Sequence, residues 1–336
     1  MTPRWLEEPG TPVTAVVDGL PDAVAAADWI DTYREPLRSV LTRHGALYLR
    51  GLPVRTAADF ALVRDALFAA RAKYQEKATP RSDFGDDVFS STDLPPAQAI
   101  RMHNENSYTL TFPGLLLFGC LTAPAEGGAT PVADVRRVLD LLPADLADRF
   151  RRHGWSLVRN YAEHISLDWR TAFATDSRAD VERYCAANAI DVTWGDDDTL
   201  RTRQVRSATV RHPDTGEEVW FNHVAFWSEW ALDPDIRDVL VGEFGPDGLP
   251  FNTALGDGSP LSPADMAVLD AAYERATVRR AWQPGDLLLV DNILTAHGRD
   301  PFRGDRKIVV AMGEPVALAD CAPSLPVTAP ALAGRA

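Results

Sequence analysis

Cysteine is scarce in this chain: Cys120, Cys185 and Cys321 are the only three in 336 residues, far apart and with no CxxC pair. An odd, scattered set gives neither a disulfide framework nor a cysteine zinc site, and Cys120, which ends the apolar run Gly114–Cys120, reads as a small core hydrophobe. No run of about 18 apolar residues is present, so no membrane span is expected. The opening residues MTPRWLEEPG lack the apolar centre of a signal peptide, which points to a cytoplasmic protein. Clusters of Lys and Arg are missing too, and the formal net charge is −14. Nothing can track a phosphate backbone, so nucleic acid is not an expected partner. Internal repeats and HExxH motifs are also absent.

What remains is a globular composition, 46% hydrophobic and 24% charged. One catalytic domain over residues 1–320 is expected, followed by a Pro- and Ala-rich tail at 322–336. Residues 22–43 read as helix, kinked or divided at Pro36. Ala46–Arg50 reads as a strand, and Thr56 with Asp59 as the cap of a helix carrying Phe60, Val63, Leu67 and Ala70. From Ala97 onward short apolar runs alternate with Gly, Pro and Asp: AQAIR, GLLLFGC, TPVAD, WSLVRNY, VRSATV, VWFNHV, TVRRAW, DLLLVDN and KIVVAM. Such spacing predicts a β sandwich or barrel. PDTGEE and QPGD are read as hairpin connections, and helices are expected at about 135–153, 178–188 and 262–276. The fold class is therefore mainly β with inserted helices.

The segment Met102–Tyr108 (MHNENSY) holds His103 and Glu105 two residues apart. In extended backbone such residues share a side, so an imidazole nitrogen and a carboxylate oxygen can meet on one ion. A third ligand is available at His297, just past the buried run Leu287–Asn292. Two histidines and one carboxylate leave one face of an octahedral iron open. Arg306 opens the strand Arg306–Val310, and its guanidinium suits a carboxylate; Arg303 and Lys307 compete for that role. His44, His153, His164 and His212 belong to no such constellation.

At these residues the chain resembles the taurine dioxygenase and clavaminate synthase group (TauD/TfdA) of Fe(II)/2-oxoglutarate-dependent oxygenases. Within it, the likeness is greatest to syringomycin-type aspartyl hydroxylases of natural-product pathways. STDLPP (Ser91–Pro96), HNENSY, GGATPVADVRRV (Gly127–Val138), TGEEVWFN (Thr215–Asn222), GDG (Gly256–Gly258) and PGDLLLVDNILTAHGRDPFRGDRKIVVAM carry it, over about residues 45–313. The resemblance implies a double-stranded β-helix, the cupin-like jelly roll. It also implies Fe(II) held by His103, Glu105 and His297, with 2-oxoglutarate and O2 as cosubstrates and Thr130 beside Arg306 on the 2-oxoglutarate carboxylate.

Since Glu105 is a carboxylate, where family halogenases resemble this pattern with a small residue, hydroxylation is the expected outcome. Desaturation, cyclisation and epoxidation remain open. An amino-acid-like small molecule, free or tethered to a carrier protein, is the expected substrate. Asn104, Asn106, Ser107, Tyr108, Asn222 and His223 are candidate substrate contacts, with His223 an alternative metal ligand. The aromatic stretch Trp220, Phe221, Phe226, Trp227 and Trp230 reads as core, or as a lid or docking patch. Asp134 and Arg136 are expected to pair at a helix start. A non-catalytic jelly-roll binding protein and a zinc hydrolase are the competing classes.

Overall fold

In the strand Thr111–Thr122 every residue from Phe112 to Cys120 is buried, which explains why the sequence runs apolar there instead of alternating. Both faces of its sheet are covered. The computed structural model describes residues 2–72, 76, 81–161, 166–195 and 198–327. Among them the largest sheet has seven strands, in the order Arg4–Leu6, Val13–Val16, Ala46–Arg50, Leu287–Asp291, Thr111–Thr122, Lys307–Ala317 and Phe89–Ser90. Pairing is antiparallel except between Val13–Val16 and Ala46–Arg50.

Leu47, Leu117, Leu289 and Val309 turn to one face and meet Ile30, Leu37, Leu41 and Phe60 of the N-terminal helices. Their neighbours Tyr48, Leu116, Phe118, Leu288 and Val310 turn to the other, where Val132 and Trp282 lie. Gly119 makes the first packing possible, because a Cβ there would stand 2.5 Å from the Phe60 ring. A second sheet orders Thr277–Val278, Val132–Asp134, Thr295–Arg299 and Ile100–His103, all antiparallel. A third pairs Ile190–Trp194, Leu200–Arg206, Trp155–Tyr161 and Phe251–Leu255. The chain is thus mainly β with helices inserted between strands.

Local signals account for most helix ends. Thr56 Oγ1 accepts from Asp59 N at 3.1 Å while Asp59 Oδ2 accepts from Thr56 N at 2.9 Å, opening Ala57–Leu67. Ser262 and Asp265 repeat the device ahead of Pro263–Ala276. Asp134 caps Val135–Leu141 and pairs with Arg136 at 2.9 Å, as expected. Residues 22–43 divide into Ala23–Thr32 and Arg34–His44, with the break at Tyr33. Pro36 falls in the first turn of the second helix, where its missing N–H has no intrahelical partner to lose.

Several expectations give way. VWFNHV is a strand only to Trp220, and Val224–Trp227 is a short helix. PDTGEE does join a hairpin, Thr209–Arg211 with Glu218–Trp220. QPGD does not: Thr277–Val278 pairs with Val132–Ala133, whereas Leu287–Asp291 belongs to the large sheet, so this turn carries the chain between sheets. Phe251–Leu255 and the helix Pro234–Phe244 were not anticipated, because Asn, Gly and Asp dilute their patterns. Of the segment read as a tail, Ser324 N donates to Thr209 O at 3.1 Å and Val327 packs on the core; 328–336 lie outside the described residues, as does His164. The three cysteines are buried and unbridged. No helix among the described residues is long and apolar enough to cross a membrane.

Candidate metal centre

His103 ends the strand Ile100–His103 and stands directly opposite His297 of Thr295–Arg299 in the antiparallel register. Pairing alone therefore brings the two imidazoles together, with ring centroids 4.4 Å apart. Glu105 reaches them differently from the extended i, i+2 geometry expected of it. It sits in the turn that follows the strand, one residue before Asn106, whose φ is +52°. From there Glu105 Oε2 lies 3.8 Å from His103 Nε2 and 3.6 Å from His297 Nε2. The three ligand atoms fall within 4.8 Å of one another, and all three residues are buried.

Those separations exceed hydrogen-bond length, yet atoms so placed can share one cation through bonds of about 2.1 Å. His103 Nδ1 is 2.8 Å from the Arg101 carbonyl. A carbonyl only accepts, so Nδ1 carries the proton and Nε2 presents its lone pair. Burial, and then the neighbouring His103, push His297 well below its ordinary pKa, keeping it neutral. Burial alone would raise the Glu105 carboxyl; Arg81, whose Nη2 is 3.0 Å from Oε1, and the two imidazoles outweigh it and hold the group ionised. Two imidazoles and a carboxylate form a donor set that fits a divalent metal.

The segments that carry these candidate donors are tied from behind by Asn292. Its Oδ1 accepts from Glu105 N at 2.7 Å, and its Nδ2 donates to Glu105 O at 2.9 Å and Pro113 O at 2.7 Å. Asn104 Nδ2 donates back to Asn292 O at 2.7 Å. Next to Asn292, Asp291 Oδ1 accepts from Ile293 N and Leu294 N, and Oδ2 faces His212 Nε2 at 3.0 Å.

Arg306 lies in the same pocket. It donates to Gly128 O at 3.0 Å, Ser91 Oγ at 3.2 Å and Thr130 Oγ1 at 3.4 Å, all neutral oxygens. Burial, and then Arg299, lower its pKa to about 10. A guanidinium so placed is short of negative charge. Arg303 is exposed beside Glu126, and Lys307 is exposed over Phe84, so neither reaches the pocket. The pocket encloses about 570 Å³, part of it open to solvent.

Of the candidate substrate contacts, Tyr108 and His223 line this space. Asn104 and Asn222 do not: Asn222 donates to Ala208 O and accepts from Val224 N, opening the short helix. Asn106 shapes its turn and accepts from the Tyr108 hydroxyl at 3.1 Å, while Ser107 Oγ lies 2.6 Å from His223 Nδ1. Trp220 and Phe221 are core; Phe226 and Trp227 form a wall of the pocket.

A family model described as Taurine catabolism dioxygenase TauD, TfdA family, matches residues 10–312. The chain belongs to this family. Among TauD/TfdA relatives, the dapdiamide synthesis protein DdaC of Enterobacter agglomerans is 37% identical over 281 residues, covering 84% of this chain and 85% of its own. A clavaminate synthase-like protein of Arabidopsis thaliana is 29% identical over 300 residues, covering 84% and 86%. The crystal structure of a taurine dioxygenase from Burkholderia xenovorans superposes with a TM-score of 0.51 at 16% identity, over 95% of this chain and 93% of that one, a likeness of fold.

As a TauD/TfdA protein the chain is an iron- and 2-oxoglutarate-dependent oxygenase. Sequence reading missed Arg81, Arg299 and Phe118 in its pocket and Asn292 behind it. Asn292 had a local signal, an Asp-Asn turn closing an apolar strand. Arg81 had none, because its contact with Glu105 spans 24 residues of chain.

Proposed function

We propose that the protein oxidises an unactivated C–H of an amino acid, free or carried on a partner protein, or of a related small metabolite, with hydroxylation as the outcome. His103, Glu105 and His297 hold Fe(II), and Arg306 with Thr130 grips the far carboxylate of 2-oxoglutarate. The observation that carries the reading is the meeting, in one pocket, of three buried metal donors with a guanidinium lacking a carboxylate partner among the described residues. The two packed sheets around them are read as a double-stranded β-helix within one catalytic domain, residues 1–320, ending in a tail and working in the cytoplasm. The relative named for dapdiamide synthesis supports a place in a biosynthetic pathway.

When bound, iron and 2-oxoglutarate would activate O2, which is the oxidant: 2-oxoglutarate gives up two electrons and leaves as succinate and CO2, and the substrate C–H gives the other two. The chain's part is placement. Asn292 fixes the Glu105 backbone, and the Arg101 carbonyl fixes the His103 ring. Phe226 and Trp227 exclude water where the substrate lies, while Tyr108 and the Ser107-held His223 meet its polar groups. The test is succinate formation from 2-oxoglutarate with Fe(II), in the presence and absence of O2. Oxygen-dependent succinate that disappears in His297→Ala supports the reading, whereas oxygen-independent turnover with zinc would establish a hydrolase instead.

A further inference from the structure

The QPGD turn at 283–286, which carries the chain between the two sheets, is firmly anchored. Gly285 N donates to Cys120 O at 2.8 Å, and Cys120 N donates to Asp286 O at 2.9 Å. The buried Asp286 carboxylate accepts from Gln283 N at 2.9 Å and, through both oxygens, from Arg50, whose Nη2 also donates to Ala281 O at 3.2 Å. Trp282 is held between these anchors. Its ring is buried beside Val132 and Leu288 and lies against Tyr48, with ring centroids 5.1 Å apart. Packing accounts for the ring but not for where its one polar atom goes.

Trp282 Nε1 donates to Thr130 Oγ1 at 3.3 Å, across 152 residues of chain. Thr130 is buried just ahead of the strand Val132–Asp134 and lines the metal pocket, which Trp282 does not. The same oxygen accepts from Arg306 Nη2 at 3.4 Å. An indole N–H and a guanidinium only donate, whereas a hydroxyl has two acceptor sites and one proton. Both acceptor sites of Thr130 Oγ1 are therefore filled, and its proton meets no acceptor among the described residues. That proton is left for the pocket. A carboxylate, which only accepts, is the group it suits. Without the indole N–H, the hydroxyl could rotate and present a lone pair instead.

We propose that Trp282 is a positioning residue for the cosubstrate: its indole N–H fills the second acceptor site of Thr130 and so fixes that hydroxyl as a donor to the far carboxylate of 2-oxoglutarate. The inference rests on the assignment of that carboxylate to Arg306 and Thr130, and extends it to a residue outside the pocket.

Trp282→Phe keeps a ring in the core and deletes the N–H. The experiment is an anaerobic titration of the Fe(II) protein with 2-oxoglutarate, followed by the visible absorption band, in wild type, Trp282→Phe, Thr130→Val and the double variant. It is repeated with 2-oxopentanoate, which has the same chelating end and no far carboxylate. Trp282→Phe is expected to weaken 2-oxoglutarate binding about 3- to 10-fold, the range of one neutral hydrogen bond, and to leave 2-oxopentanoate unchanged. In the Thr130→Val background the same substitution is expected to cost nothing further, because its acceptor is gone. A second measurement needs no change at Trp282 and stands even if that variant fails to fold. With Zn(II) in place of iron and isotopically labelled tryptophan, the indole N–H resonance that Thr130→Val displaces most is expected to shift when 2-oxoglutarate binds and to stay in place with 2-oxopentanoate. The proposal is overturned if Trp282→Phe leaves 2-oxoglutarate affinity intact, weakens both keto acids alike, or costs as much without the Thr130 hydroxyl as with it, or if that resonance does not respond. A wild-type protein that binds the two keto acids equally would instead overturn the assignment of the far carboxylate, and one that gives no band the oxygenase reading itself; the proposal falls with either.

Discussion

Truncating Asn292 to Ala removes three side-chain hydrogen bonds from a site with no solvent exposure. The Glu105 N–H and the carbonyls of Glu105 and Pro113 lose their partners together. At about 1 to 3 kcal/mol per stranded group the sum is roughly 3 to 9 kcal/mol, and since carbonyls bear the loss better than N–H groups we expect about 3 to 5 kcal/mol. Asn104→Ala removes one bond from the same clamp and should cost only about 1 to 2 kcal/mol. Urea unfolding gives the stability loss, and anaerobic Fe(II) titration in 2-oxoglutarate gives the effect on the metal. Because Asn292 grips the backbone of Glu105, the proposed carboxylate ligand, iron affinity in Asn292→Ala should fall by more than a general loosening produces, about 10- to 100-fold, the range found for groups that orient metal ligands. A loss under about 1 kcal/mol with unchanged iron affinity would refute the idea that this clamp positions Glu105.

Arg306→Gln should raise the KM for 2-oxoglutarate about 10- to 100-fold, and Thr130→Val by less, as expected for a charge-assisted against a neutral hydrogen bond; steady-state succinate release checks both. His212 is buried, which lowers its pKa, but Asp291 outweighs burial and the net shift is upward. Its contribution to stability is therefore full below the unfolded value of about 6.5 and lost as pH rises through the higher folded value. The melting-temperature gap between wild type and His212→Gln should accordingly close at alkaline pH, and a gap that widens there contradicts the pairing. Gly45 has φ of +73°, and a Cβ would meet Thr295 Oγ1 at 2.2 Å; Gly45→Ala should destabilise by about 1 to 3 kcal/mol, measurable by denaturant titration.

The sequence made the candidate donors His103 and His297 legible because each sits beside a strand signal, His103 after Ile100 and His297 after the run Leu287–Asn292, and the structure brings both together with Glu105. It did not convey how Glu105 joins them. That depends on a turn with a left-handed Asn106, and on Asn292 reaching across 187 residues of chain. Capping chemistry at Thr56, Asp134 and Ser262 was readable for the same local reason. What stayed hidden was non-local or diluted. The QPGD turn looks like a hairpin until the partner of Thr277–Val278 is known to be Val132–Ala133. Ser107 and Asn104 look like pocket residues because they adjoin ligands, but their side chains are taken by His223 and Asn292.

The central claim is that His103, Glu105 and His297 together hold one ferrous ion to which 2-oxoglutarate binds. Mixing the protein with Fe(II) and 2-oxoglutarate under anaerobic conditions and titrating the visible charge-transfer band tests it directly. One iron per chain, with the band lost in His103→Ala and in His297→Ala, is the predicted result. A folded wild-type protein that gives no band, or single-ligand variants that keep it at full intensity, would contradict the account.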